Sequence, residues 1–242
     1  MKRFFPLMYD EPERGMHFAL LAYWFIGFEV VPTFIPMLSD GYWDNLSVIP
    51  WFEIAYHVLN GVVILVMLRP YLADSFLNVQ LDPKRFLLIV GFSVLVMLVP
   101  AVWAHYFMGP VAVNFFPITE KIVAITPGYL VELQPIFGTI CFSLITPFAV
   151  AGLFYVSVFA PVCRHNRWLG YIAVTVFMAV PCILDVLWRG NGENVLTTFL
   201  LQLPIHWIAC WTYQITDTVW APVTALSIFN LGASVLVAIY SL

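Results

Sequence analysis

Glu53 and His57 lie four residues apart in "WFEIAYHVLN", so on a helix they share one face. A carboxylate and an imidazole at that spacing can polarise a water or relay a proton. Glu29, within "FIGFEVVP", is a third polar group set in an apolar run. Carboxylates in such runs are costly to bury, so they face a cavity or a partner. Glu29, Glu53 and His57 therefore form either a working site or a buried polar network that fixes helix packing. Trp51 beside Glu53 also suits a position near a wet membrane interface. A second group comprises Asp185, Gln202 and His206, with Gln202 and His206 again four apart. Asp185 just precedes Trp188-Arg189, and a surface pair with Arg189 accounts for it simply. His206 facing Asp185 would be a proton acceptor; a single imidazole hydrogen-bonded inside a helix bundle is the plainer arrangement.

A third pattern is "TDTVWAPVTALSIFN", Thr216 to Asn230. It resembles the last motif of the CAAX-protease and bacteriocin-processing (CPBP, or Abi) family of intramembrane proteases. There a "TGSLWAPILAHALNN"-like stretch carries a His-x-x-x-Asn pair on a membrane helix. Trp220-Ala221-Pro222 and Asn230 agree with that pattern, and Leu226 stands at the His position. The family's first motif, P-I-A-E-E-x-x-F-R-G, resembles the run from Pro147 to Tyr155. Pro147, Ala149 and Phe154 agree, but Val150 and Ala151 stand at the two Glu positions and Tyr155 at the Arg position. The basic turn "RHNRWLG" follows, as a basic turn does in the family. In the second motif, Phe-x-x-x-His, Phe177 is kept and Pro181 replaces His. The resemblance covers residues 147–234. It implies a CPBP-like core that lacks the Glu and His residues that activate water in the family. Val, Ala, Pro and Leu side chains offer water no lone pair or proton, and they cannot hold a metal. Asn230 alone could donate to an oxyanion; a hydrogen bond within helix packing is its ordinary role.

The elements that must position these residues are set by composition. Hydrophobic residues make up 62% of the 242, charged residues 10%, and the mean hydropathy is +0.91. So few charges could not cover a water-soluble domain of this size. Apolar runs near the length of a bilayer crossing recur, and no cleavable signal peptide is apparent at the start. The pattern predicts about seven spans, near 17–38, 48–68, 86–108, 135–160, 168–187, 195–213 and 218–240. The stretch 110–131 holds Glu120, Lys121, Pro117 and Pro127, so an interfacial or re-entrant course suits it better than a span. Lys2, Arg3, Arg14, Arg69, Lys84, Arg85, Arg164 and Arg167 then fall on one side, and only Lys121 and Arg189 on the other. That asymmetry predicts a cytoplasmic N-terminus and an external C-terminus. The segments around 69–85 and 161–167 are expected as cytoplasmic loops. The four cysteines show no ligand or disulfide spacing. No phosphate-binding glycine loop and no basic stripe for nucleic acid occurs.

The sequence thus predicts an all-α, polytopic transmembrane bundle in a single domain, 1–242, in the plasma membrane. By resemblance it is a CPBP-like protein without peptidase chemistry, and it needs no cofactor or metal. It would bind a membrane protein or hydrophobic peptide as a subunit, regulator, chaperone or immunity factor of a membrane complex. Val150, Ala151, Tyr155, Pro181, Leu226, Asn230 and Glu29 are the expected binding residues. Two alternatives stay open: an intramembrane peptidase with a displaced set of Glu53, His57, Asp185 and His206, and a transporter or channel component with Glu29 and Glu53 lining a path.

Overall fold

The computed structural model describes residues 14–24, 26, 49–108, 135–189 and 192–240. All regular structure among them is helical. In chain order the elements are α1 (Arg14–Trp24), α2 (Ile49–Leu81), α3 (Pro83–Met108), α4 (135–163), α5 (Arg167–Arg189), α6 (Gly192–Thr216) and α7 (Trp220–Tyr240). Helices α2 to α7 fall on the apolar runs expected from the sequence. Two stretches are long and apolar enough to cross a membrane, Pro83–Pro100 in α3 and Ser143–Cys163 in α4. A third is added if the two arms of α2 count as one span. Most of the first expected span, with Glu29, and the whole of 110–131 lie outside the described residues.

The bundle is built around α4. Of its candidate span 76% is buried, against 17% for that of α3. Helix α4 packs against α1, α2, α5, α6 and α7, whereas α3 lies along α6 and α7. The sequence of α4 suits this place. Ala149, Ala151 and Gly152 keep its surface low, so neighbouring backbones come close. A Cβ on Gly152 would stand 2.7 Å from Leu68 Cδ1 and 3.0 Å from Ile64 Cγ2. At Gly61 of α2 a Cβ would meet Ile145 Cγ2 at 2.2 Å. Peripheral α3 follows the opposite rule. It buries the narrow seam Val90, Ser93 and Met97 and exposes Leu87, Leu88, Phe92, Leu95 and Val99. In a membrane such a face meets lipid without cost.

Helix α4 is not uniformly α-helical. It runs α over Pro135–Ile140, π over Cys141–Ile145, α over Thr146–Val150, π over Ala151–Phe159 and α over Ala160–Cys163. Each π segment ends two residues before a proline, Pro147 or Pro161. A proline ring collides with the carbonyl four residues earlier and donates no hydrogen bond. Widening the preceding turns accommodates both faults. Ser157 makes use of the wider turn, donating from Oγ to the Gly152 carbonyl, five residues back, at 2.8 Å.

The expected loop at 69–85 is instead mostly helix, and this corrects the sequence reading. At Pro70 the chain bends by 74°, and Tyr71–Leu81 continues as a second helical arm of α2. Nothing between Pro70 and Pro83 breaks a helix, and Leu72 and Ser75 give the arm a buried side. Asp82 then starts α3 by accepting the Arg85 backbone N–H at 3.1 Å.

Candidate functional site

A buried polar contact joins α4 to α6. Tyr155, in the second π segment, places its hydroxyl 3.1 Å from Nδ1 of His206. Both residues are buried, and the Phe154 ring lies 5.4 Å from the imidazole, centroid to centroid. Nε2 of His206 is buried with no hydrogen-bond partner among the described residues. Among the described residues one imidazole nitrogen is therefore held and the other unanswered, an arrangement that costs stability. Gln202, one turn earlier on α6, is also buried.

The remaining expected residues distribute as follows. Val150, Ala151, Leu226 and Asn230 are all buried within the helix packing. Pro181 lies within α5, Glu53 and His57 in the first turns of α2, and Asp185 near the end of α5, with side chains outside the described ones. Their levels along the bundle still follow from the backbone. Trp207 donates from Nε1 to Thr175 Oγ1 at 3.0 Å, which puts the neighbouring His206 at about the level of Thr175 along α5. Asp185 lies ten residues beyond Thr175, about 15 Å of helical rise. On α2, Leu68 faces Gly152, one turn from Tyr155. His57 precedes Leu68 by eleven residues, about 16 Å of rise. The displaced set Glu53, His57, Asp185 and His206 is thus not gathered at one level. Among the described residues no group of three or more His, Cys, Asp or Glu could hold a metal ion.

The Trp220-Ala221-Pro222 run has a clear packing role. Trp220 donates from Nε1 to the Leu72 carbonyl at 2.9 Å. Its ring meets Phe76 and Phe148 edge-on, each at 5.5 Å. Thr218 donates to the Ser75 carbonyl at 2.9 Å, and Asn78 to the Asp217 carbonyl at 2.8 Å. The Tyr71 and Tyr213 hydroxyls are hydrogen-bonded to each other. The second arm of α2 is therefore clamped onto the turn between α6 and α7. Asp217 in that turn has φ 51°, the left-handed region. Burial pushes its carboxyl above the usual carboxylate range, and the nearby Arg164 guanidinium opposes the shift.

Sequence reasoning missed the bond of Tyr155 to His206; Tyr155 entered as the residue at an Arg position and as an expected binding residue. The available signal was a phenol in a wholly apolar segment, since a buried tyrosine hydroxyl usually finds a partner. The chain matches no family model, and no curated protein or solved structure matches it. The CPBP resemblance therefore stands on its motif residues alone.

Proposed function

We propose that this chain is a multi-pass plasma-membrane protein with seven spans, a cytoplasmic N-terminus and a CPBP-like core. It works by binding a membrane protein or hydrophobic peptide rather than by hydrolysis, as a subunit, regulator, chaperone or immunity factor of a membrane complex. One observation carries this reading. Val150, Ala151 and Leu226, at positions where the resemblance expects Glu and His, are apolar and packed shut. Tyr155, at the expected Arg position, is engaged with His206 across the bundle. The three apolar side chains can hold helices together and recognise a helix, but they cannot activate water. The separation of Glu53, His57 and Asp185 from the level of His206 supports the same conclusion.

The test is purification from native membranes in a mild detergent with cross-linking and mass spectrometry, alongside incubation with membrane-embedded peptides. The reading expects a stoichiometric membrane partner and intact peptides. Cleavage that His206→Ala or Glu53→Ala abolishes in otherwise stable protein would establish the peptidase alternative and overturn it.

A further inference from the structure

The second arm of α2 and the basic residues around it have no part in the function proposed above. The arm leaves the line of Gly61–Arg69 at 74°. If that first arm crosses the bilayer, Tyr71–Leu81 lies close to the membrane plane. Its inner side, Leu72 and Ser75, is held on the α6–α7 turn. Its outer side exposes Leu77 and Leu81, the last 82% exposed, with Asp74 beside them, and the Phe76 ring at its flank is in part exposed. An in-plane helix that exposes large apolar side chains beside polar ones belongs at the boundary between headgroups and acyl chains.

The cations converge on the same end. Arg85 donates to the Ile215 carbonyl at 3.2 Å, and Lys84 is its neighbour. Arg164 lies close enough to Asp217, in the same turn, to act on its charge. Arg167 stands over the ring of Trp168, 5.2 Å from its centroid, and Trp168 is 63% exposed. Lys84, Arg85, Arg164 and Arg167 are all exposed. Of the three acids of this end, Asp82 caps α3 and Asp217 lies beside Arg164, while Asp74 is exposed on the arm, so the four cations outnumber the acids. Exposed cations beside an interfacial tryptophan and an in-plane apolar helix match the charge and depth of an anionic headgroup layer.

We propose that this end of the bundle is a binding surface for anionic phospholipid headgroups. Lys84 and Arg85 engage them on one side of the α6–α7 turn and Arg164 and Arg167 on the other, while the arm Tyr71–Leu81 is seated at headgroup depth. The inference rests on the membrane reading but not on the CPBP resemblance or on the absence of hydrolysis.

The experiment places the full chain in nanodiscs of phosphatidylcholine with about a fifth phosphatidylglycerol, the anionic component of the surface in question. Lipids that remain bound on release are weighed by native mass spectrometry. The expected result is retention of phosphatidylglycerol over its share of the bilayer by on the order of tenfold, the scale that two or more surface cations provide. That preference should collapse in high salt and in the variant K84Q/R85Q/R164Q/R167Q. If the variant does not fold, the salt response of the unaltered chain decides. Retention of both lipids in proportion to their abundance, or a preference indifferent to salt, overturns the proposal while leaving the membrane reading intact. A chain that does not enter nanodiscs at all overturns both.

Discussion

At the scale of single residues, the Tyr155–His206 contact is a bond between groups that would each be expensive to leave alone. Tyr155→Phe should destabilise the protein by about 1–3 kcal/mol, because it orphans a second imidazole nitrogen. His206→Leu should cost a similar amount by orphaning the phenol. The double replacement should cost less than the sum, since it removes both partners at once. Thermal unfolding in detergent measures all three; strict additivity would show that the contact does not couple α4 to α6. Asp217 gives a prediction of the opposite kind. Its carboxyl is held above the ordinary range by burial, so the folded chain binds that proton more tightly than the unfolded chain. Its contribution is therefore fully present below the ordinary carboxylate pKa and is lost as pH rises through the elevated one. Asp217→Asn should remove this loss, making the protein more stable at neutral pH and flattening its acid-side profile. Asn also tolerates the left-handed φ of 51° at this turn. A variant less stable than the parent at neutral pH would show that the charged form is the one the fold favours.

At the scale of elements, close approach between α2 and α4 rests on two glycines that differ in what faces them. The atom opposing Gly61 is a methyl on the branched Cβ of Ile145, which has little freedom to move. The nearest atom opposing Gly152 is the end of the flexible Leu68 side chain. Gly61→Ala should therefore cost more stability than Gly152→Ala, roughly 1–3 kcal/mol of overpacking. Ile145→Ala should relieve the first and not the second. Equal costs by thermal unfolding would mean that the helices separate freely at both points. The same residues mark what the sequence could and could not tell. Apolar runs placed α2 to α7, because length and hydrophobicity mark an apolar helix, and two or three of them are long and apolar enough to cross a membrane. The π segments were not legible: Pro147 and Pro161 follow widened turns, whereas Pro100 and Pro204 sit inside plain α-helix, and periodicity cannot say which proline widens a helix. The arm Tyr71–Leu81 was hidden by its polar residues, Asp74, Asn78 and Gln80, which read as loop until the bend at Pro70 turns their helix along the bundle end. Tyr155 was found at a motif position, yet its bond to His206 is a tertiary contact between residues 51 apart. No local pattern encodes such a contact.

At the scale of the whole molecule, three segments far apart in sequence meet at one end: the second arm of α2, the turn after α4 and the turn between α6 and α7. Asn78, Arg85 and Thr218 bind across them, and Arg164 acts on Asp217. In the proposed seven-span arrangement, charge asymmetry puts two of these segments on the same side of a membrane, and the alternation of spans puts the third there too. Contacts in the fold and positive charge in the sequence are independent observations, and they agree on one topological constraint: whatever side 71–85 faces, 164–167 and 216–219 must face it too. With basic residues concentrated there, that side should be the cytoplasm. Single cysteines at Gln80 and His165, in a chain whose four native cysteines have been replaced, should both resist a membrane-impermeant thiol reagent applied to intact cells. Both should react once the cells are opened. Labelling of one position and not the other in intact cells would contradict the fold itself. Labelling of both would keep the fold but invert its orientation, and the basic end would then face outward, away from the leaflet whose anionic lipids it is proposed to bind.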